Sequence, residues 1–385
     1  MLKSNDYKYV GIEDNDIDLF ESQYVVPEGM LYNSYVLFDE KIVIFDTVDK
    51  RKTDEWLGKV KEALDGKTPD YLIIHHLEPD HSAGILQLHE LYPDMKLIGN
   101  AKTFSMLPQF FNEDLSSLYV TVKEGESITF GKHTLTFYMA PMVHWPEVMV
   151  SYDNEEKILF AADGFGKFGV DQTTYDWACE ARRYYFNIVG KYGAQVQALL
   201  KKAANLDIKA IVALHGPVLD ENLDYYIGLY DTWSKYEPED KGILIACASI
   251  HGNTMKAAEY LEEKLNEKGA QKVVLSDVTR EDITEVIEDA FRYDRMVLMA
   301  SSYDAGLFPP MEELLHHLAA KTYRNRKVAI VENGSWAPSA HRCMTAIVEK
   351  YKDVEIVGEK ITIKTTMSEE NKKELDALAD VLVNA

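Results

Sequence analysis

The segment His75-His76-Leu77-Glu78-Pro79-Asp80-His81 concentrates metal-binding side chains, and it directly follows the apolar stretch 71–74. Its imidazoles and carboxylates lie close enough in sequence to serve two neighbouring ions. Further candidate ligands follow apolar stretches downstream, at strand ends that can hold them rigidly. The sequence therefore predicts a metal centre formed by His76, Glu78, Asp80, His81, His144, Asp163 and His215.

The acidic residue at position 78 bears on the type of metal. A histidine there would complete a cluster typical of zinc, which favours imidazole ligands. With Glu78 the set contains four imidazoles and three carboxylates, enough for two ions and one bridging carboxylate. Oxygen donors mixed with imidazole favour iron or manganese over structural zinc. Side-chain alternation along a strand turns His75 away from His76, so we expect His75 to support the ligands or to pack in the core.

A second candidate site begins after the apolar strand 242–248. A turn rich in hydroxyl and amide groups leads there into an amphipathic helix from Met255 to about Lys268. Backbone N–H groups at a helix N-terminus attract phosphate, although Asn and Thr also cap helices that bind nothing. No Gly-x-x-x-x-Gly-Lys or Gly-x-Gly-x-x-Gly pattern is present, which favours a mononucleotide. The residues of this turn are Ser249, Ile250, His251, Gly252, Asn253 and Thr254.

Two later loops, after the strands 295–300 and 327–331, strengthen this interpretation. Both follow strands that are expected to be parallel, and open α/β sheets bind ligands at the carboxyl ends of such strands. Each loop has small residues and an aromatic ring that could lie against a flat ligand. Together the loops favour a pocket for flavin mononucleotide (FMN). Their residues are Ser301, Ser302, Tyr303, Asp304, Ala305 and Gly306, and then Asn333, Gly334, Ser335 and Trp336.

The pattern of elements predicts an α/β protein with two domains. Residues 1–238 mix hairpins, strands and covering helices, which suits a sandwich of two sheets flanked by helices. The charged, proline-containing stretch 236–240 is the expected boundary. Residues 241–385 alternate strand and helix regularly, which predicts a doubly wound parallel sheet.

These motifs resemble those of the flavodiiron proteins (A-type flavoproteins). That family joins an αββα metallo-β-lactamase-like sandwich, which holds a non-haem diiron site, to a flavodoxin-like domain that holds FMN. The His-x-Glu-x-Asp-His motif with a later His, Asp and His carries the resemblance. It implies two iron ions bridged by Asp163, with His81 the ligand that the family does not always use. By the resemblance, His76, Glu78 and His144 hold one iron, and Asp80, His81 and His215 hold the other.

The resemblance also implies an activity, which is reduction of dioxygen to water, of nitric oxide to nitrous oxide, or of both. It implies a head-to-tail homodimer or a dimer of dimers, in which each flavin faces the partner's irons. Because the chain stops at Ala385, just after the flavodoxin-like part, we expect a separate electron donor such as rubredoxin or a flavin reductase. Some members carry a histidine in the segment equivalent to 20–26, where this chain has none. The alternative is a metallo-β-lactamase-type hydrolase with a flavodoxin-like appendage.

Charge and cysteine content narrow the possible partners. The net charge is −23; residues 241–385 hold 19 basic and 24 acidic residues, so −18 lies on residues 1–240. Such a surface repels nucleic acid and anionic membranes. The three cysteines are far apart in sequence, which argues against a disulfide framework and fits the cytoplasm. We expect an acidic electron donor to dock near Lys321, Arg324, Arg326 and Lys327.

Overall fold

A computed structural model describes residues 2–385. By their internal contacts these residues form two compact units. The first contains the residues up to 185 together with 194–230, and the second contains 186–193 and 231–385. The domain boundary between residues 238 and 241 stays a prediction. Within residues 2–385 we find no helix with both the length and the apolar composition to cross a membrane.

The first unit consists mainly of short strands joined by helices and loops. Its strands are β1 (Tyr7–Tyr9), β2 (Ile12–Asp14), β3 (Leu19–Phe20), β4 (Tyr24–Val25), β5 (Met30–Tyr32), β6 (Tyr35–Phe38), β7 (Ile42–Phe45), β8 (Tyr71–Ile73), β9 (Lys96–Asn100), β10 (Tyr119–Val122), β11 (Ser127–Thr129), β12 (Thr134–Met139), β13 (Met149–Asp153), β14 (Ile158–Phe160) and β15 (Ala210–Val212). Its helices are α1 (Thr53–Leu64), α2 (Pro79–Ser82), α3 (Ile85–Leu91), α4 (Ala101–Met106), α5 (Trp177–Tyr184), α6 (Gly193–Ala203) and α7 (Leu223–Ser234), the last of which runs on into the second unit.

Two sheets pack face to face in this unit. One has the strand order β1-β6-β7-β8-β9-β10 and the other β11-β12-β13-β14-β15. Buried apolar side chains from both sheets, such as Phe45 and Ile73 from the first and Phe137 and Phe160 from the second, form one continuous core. Burial of these faces is the main stabilising contribution. The loops beyond the ends of β8, β12, β14 and β15 carry the predicted ligands.

The second unit is built on one sheet, whose strands are parallel except for the short β19, which pairs antiparallel with β18. Its strands are β16 (Asp240–Ala248), β17 (Val273–Asp277), β18 (Tyr293–Tyr303), β19 (Gly306–Leu307), β20 (Arg324–Asn333), β21 (Lys352–Ile356) and β22 (Ile361–Ile363). Its further helices are α8 (Asn253–Glu267), α9 (Ile283–Arg292), α10 (Pro309–Ala320), α11 (Ala340–Val348) and α12 (Glu369–Asn384).

The sheet order β17-β16-β18-β20-β21 is that of a doubly wound fold, so this part of the fold prediction is confirmed. The last strand position is split, because β21 pairs with the first half of β20 and β22 pairs with its end at Val331–Asn333. The carboxyl ends of β16, β18, β20 and β22 therefore meet at one edge, where the phosphate-binding loops were expected.

The predicted docking role of Arg326 is wrong. Its side chain is 2% exposed, and its guanidinium donates to the carbonyl oxygens of Tyr293 and Tyr236, both at 2.7 Å. Arg326 lies within β20, where alternation turns every second side chain inward. A buried guanidinium that binds backbone carbonyls cannot serve a docking partner.

Candidate metal centre and phosphate-binding pocket

The main ligand loop is shaped by the short helix α2, which begins soon after β8 ends. Pro79 occupies the first helical position, where its fixed φ is favourable and its missing N–H costs nothing. The turn closes when the His81 N–H donates to the Glu78 carbonyl at 2.9 Å. His76 and Glu78 precede the turn and Asp80 and His81 lie within it, so the loop presents ligands in two pairs.

The first group of converging atoms contains His76, Glu78, His144 and one oxygen of Asp163. Glu78 Oε2 lies 3.2 Å from His76 Nε2 and 3.0 Å from His144 Nε2. Asp163 Oδ2 lies 3.3 Å and 3.4 Å from the same two nitrogens. The loops after β8, β12 and β14 thus bring together residues far apart in sequence.

The second group contains Asp80, His81 and His215. Asp80 Oδ2 lies 3.2 Å from His81 Nε2 and 3.3 Å from His215 Nε2. Asp163 Oδ1 is 3.4 Å from His81 Nε2 and 3.7 Å from His215 Nε2. The two oxygens of Asp163 therefore face different groups, which is the placement required of a bridging carboxylate.

The chemistry of these atoms fits a pair of cations. Both side-chain oxygens of Asp80 and of Asp163 are buried and have no hydrogen-bond partner within residues 2–385. The Nε2 atoms of His81 and His215 face each other at 3.1 Å. Unpartnered buried carboxylates are costly unless a cation or proton compensates them. Mixed nitrogen and oxygen donors of this kind suit two iron ions.

Hydrogen bonds behind the ligands fix which ring nitrogen faces the centre. His76 Nδ1 lies 2.7 Å from Glu147 Oε1, and His215 Nδ1 lies 2.7 Å from the Leu31 carbonyl. With Nδ1–H donating, Nε2 carries the lone pair, as in most histidine metal ligands. Glu147 is fully buried and was not identified from the sequence, where only its closeness to His144 could have indicated it.

The expectation that His75 turns away from the ligands is confirmed. Its ring nitrogens lie 2.6 Å from Asp46 Oδ2 and 2.8 Å from Ser151 Oγ. The imidazole also stacks on Phe160, with ring centroids 6.2 Å apart. His75 therefore ties the two sheets together behind the centre.

The ligands shift one another's pKa values strongly in the metal-free protein. Burial alone would raise the pKa of Glu78, but the imidazoles of His144 and His76 outweigh it and lower that pKa to about 2. Burial alone would lower the pKa of His144, but the carboxylates of Asp163 and Glu78 raise it to about 9. Burial raises the pKa of Asp80 to about 7. Without metal, protons partly take the place of the cations.

This arrangement predicts that metal affinity rises with pH. At pH 7 the His144 ring, with its pKa of about 9, holds a proton that must leave before Nε2 can bind a metal. We expect the apparent affinity for Fe²⁺ to rise about tenfold per pH unit for each proton released, between about pH 6 and 8. Anaerobic titration at several pH values, with proton release followed in weak buffer, measures this. His144→Ala should release fewer protons, and an affinity independent of pH would contradict the account.

A cleft of about 630 Å³ opens beside Glu78 and Asp80. Residues 17–22, including the first strand of the β3–β4 hairpin, form its other wall. In this segment Phe20 places its ring 5.5 Å from the His215 ring, edge to face. An apolar side chain of this segment therefore packs against a predicted ligand, and the cleft gives a small molecule access to the carboxylates of Glu78 and Asp80.

The predicted phosphate-binding loops surround one cavity of about 500 Å³. Every residue predicted for it lines the cavity except Gly252 and Gly306. Ala337 and Thr365 also line it and were not predicted. Thr365 follows the short strand β22, whose pairing with the end of β20 is not visible in the sequence.

Local hydrogen bonds shape the turn before α8. Gly252 has φ +84°, a conformation that suits glycine, and its N–H donates to Ser249 Oγ at 3.0 Å. Thr254, in the first turn of α8, lies 3.0 Å from Ser301 through the two hydroxyl oxygens. The lining of the cavity includes no Lys or Arg among the described residues. A phosphate here would therefore be held by hydroxyls, backbone N–H groups and the helix dipole.

Comparison with known proteins finds similar sequences and similar folds. Residues 30–216 match the family model described as ODP family beta lactamase. The anaerobic nitric oxide reductase flavorubredoxin of Vibrio vulnificus is 28% identical over 345 residues, which cover 86% of this chain and 69% of that protein. The rubredoxin oxygen:oxidoreductase of Desulfovibrio gigas superposes with a TM-score of 0.93 at 22% identity, over 100% of this chain and 98% of that one. The flavodiiron protein of Giardia intestinalis gives a TM-score of 0.92 at 24% identity, over 99% and 95%.

The chain has the fold of the flavodiiron proteins. The predicted fold is thereby confirmed, with a metallo-β-lactamase-like sandwich and a flavodoxin-like sheet in one chain. The two kinds of site lie in different units of this fold, the groups of metal-binding atoms in the first unit and the phosphate-binding loops in the second.

Proposed function

We propose that this chain is a flavodiiron protein, an oxidoreductase that reduces dioxygen to water, nitric oxide to nitrous oxide, or both, at a non-haem diiron site fed by FMN. The observation that carries the proposal is the position of Asp163, whose two oxygens face two separate groups of ligands. The names of the similar proteins, a nitric oxide reductase flavorubredoxin and a rubredoxin oxygen:oxidoreductase, support both substrates.

The chain's own residues would hold the metals and the flavin in defined places. His76, Glu78 and His144 would bind one iron, Asp80, His81 and His215 the other, and Asp163 both. When bound, ferrous ions can reduce a small diatomic molecule, and FMN can take up electron pairs and release single electrons. Glu78 and Asp80 border the cleft through which the substrate would enter.

The hydrolase alternative is not favoured. A hydrolase would need one or two zinc ions and an activated water, whereas Glu78 replaces the imidazole that a zinc site would prefer at this position. Two of the similar proteins, the flavorubredoxin of Vibrio vulnificus and the oxidoreductase of Desulfovibrio gigas, are redox proteins by name. The flavin pocket, moreover, would have no use in ester or amide hydrolysis.

We further propose a separate electron donor, such as rubredoxin or a flavin reductase, and a location in the cytoplasm. The name of the Desulfovibrio gigas protein supports rubredoxin. The buried thiol of Cys247 and the thiol of Cys343 are free, which suits a reducing compartment.

The substrate is identified with chemically reduced, iron-loaded protein that is prepared anaerobically. Dioxygen is then added to one sample and nitric oxide to another. We expect rapid consumption of at least one gas, with water or nitrous oxide as the product. The ratio of the two rates identifies the preferred substrate. If neither gas is consumed and the protein shows esterase or amidase activity, the proposal is overturned in favour of the hydrolase.

A head-to-tail homodimer, or a dimer of dimers, is the proposed assembly, with each flavin serving the partner's irons. It predicts that two inactive variants restore each other. In this experiment Asp163→Ala chains, which lack metal, are refolded together with Ser249→Ala/Thr254→Val chains, which lack flavin. The mixture should recover about a quarter of the wild-type rate, because half of the dimers are mixed and each mixed dimer has one flavin facing one intact diiron site. If each flavin served its own chain's irons, the mixture would stay inactive.

A further inference from the structure

A second cavity in the flavodoxin-like unit, of about 320 Å³, has a cationic lining. Arg324, Lys350, Lys352 and His316 line it together with Tyr323. No carboxylate is among its described lining residues, although the chain has 64 acidic and 41 basic residues. The charge of this lining is therefore opposite in sign to the net charge of the chain.

This cavity is separate from the proposed flavin pocket. It lies at the amino ends of β20 and β21, where Arg324 and Lys352 begin their strands, whereas Asn333 at the carboxyl end of β20 lines the flavin pocket. β20 has 10 residues, and at about 3.3 Å per residue the two ends are roughly 30 Å apart. The cavity is therefore too distant for an electron donor to reduce the flavin directly from it.

Arg324 is held in place without being neutralised. Its guanidinium carbon lies 4.1 Å from the centroid of the Tyr236 ring, and its Nε donates to the Thr322 carbonyl at 3.1 Å. It forms no ion pair with a carboxylate anywhere in residues 2–385. A half-buried guanidinium fixed by stacking keeps its terminal N–H groups available, and these match the oxygens of a phosphate.

The other cations at the cavity are also weakly paired. Lys350 has no ion pair in the part of the chain that the structure describes. Lys352 Nζ is 3.8 Å from Asp353, and His316 Nε2 is 4.0 Å from Glu312, both at the outer limit of such contacts. The local positive charge is therefore not cancelled by the carboxylates that face it.

Tyr323 contributes its ring to the lining of the cavity. Its side chain is 1% exposed and packs against Tyr351, with ring centroids 5.7 Å apart. The hydroxyl oxygen is buried within the protein, so it does not face the cavity. The basic side chains of the lining are therefore the groups available to an occupant.

We propose that this cavity binds a small phosphate-bearing anion. Arg324 would bind phosphate oxygens through two N–H groups, and Lys350 and Lys352 would add charge. The volume is at the lower end of the range for ligand pockets, so the occupant is the size of pyrophosphate or of a small phosphorylated metabolite.

The probe is pyrophosphate, titrated by calorimetry into FMN-loaded protein at low ionic strength, where screening is weak. We expect saturable binding to the wild type and at least tenfold weaker binding to Arg324→Gln and to Lys350→Gln/Lys352→Gln. Lys272→Gln/Lys373→Gln, which removes two exposed lysines elsewhere in this unit, should bind as the wild type does.

Flavin absorbance recorded in the same titration distinguishes this cavity from the flavin's own phosphate site. It should stay constant while pyrophosphate binds. Absence of binding to the wild type, unchanged binding by Lys350→Gln/Lys352→Gln, or binding that coincides with flavin release would each overturn the proposal. The result does not depend on which gas the enzyme reduces.

Discussion

Replacing Asp163 by alanine is expected to remove both metals, so that iron content falls from two per chain to less than one. The reason is that its two oxygens face the two ligand groups, at 3.3 and 3.4 Å from the nearest nitrogens. Activity should fall by more than about 100-fold, because loss of outer hydrogen-bond partners alone typically costs 10–100-fold. Iron and flavin analysis of the purified variant, with gas consumption, measures the effect.

The matched comparison is Glu78→Ala, which removes a ligand from one group only. This variant should keep about one iron per chain, since Asp80, His81 and His215 remain with Asp163. Asp171→Ala, which removes an exposed carboxylate from the same loop region, should keep two. Equal iron loss from Glu78→Ala and Asp163→Ala would argue against a bridging role for Asp163.

The second large effect is expected for the double variant Ser249→Ala/Thr254→Val, which should lose FMN. Ser249 lies in the turn before α8 and Thr254 in the first turn of that helix, and no Lys or Arg among the described lining residues could replace their hydroxyls. A hydrogen bond to a charged group contributes about 1.5–3 kcal/mol, so the flavin should bind roughly 10²–10⁴-fold more weakly. Recovery of flavin fluorescence on dilution gives the dissociation constant.

Thr345→Val serves as the control, because Thr345 is half-buried on α11 outside the cavity lining. It should retain FMN fully. Iron content should stay at two per chain in both variants, since the metal ligands lie in the other unit. Retention of FMN by the double variant would place the phosphate elsewhere.

The sequence was sufficient to predict the metal ligands that lie close together in the chain. His76, Glu78, Asp80 and His81 follow one strand within six residues, so their convergence needed no knowledge of the fold. His144, Asp163 and His215 were recognisable because each follows an apolar stretch. Recognition of the family then divided them between two irons, a division that matches the two groups of atoms in the structure.

The residues that sequence analysis missed depend on tertiary packing. Glu147 hydrogen-bonds His76 across loops of two different sheets, and Phe20 packs against His215 from the far end of the first unit's sequence. Thr365 reaches the flavin cavity through a strand of only three residues. The docking role predicted for Arg326 is wrong because a sequence shows which residues are charged but not which face of a strand is buried.

The most direct test of the central claim is Mössbauer spectroscopy of protein loaded with ⁵⁷Fe, combined with metal and flavin analysis. We expect two high-spin iron sites in mixed nitrogen and oxygen coordination per chain, magnetically coupled when oxidised, together with one FMN. The coupling should be absent in Asp163→Ala. Two uncoupled ions, a single iron, or tightly bound zinc in protein grown with ample iron would contradict the account.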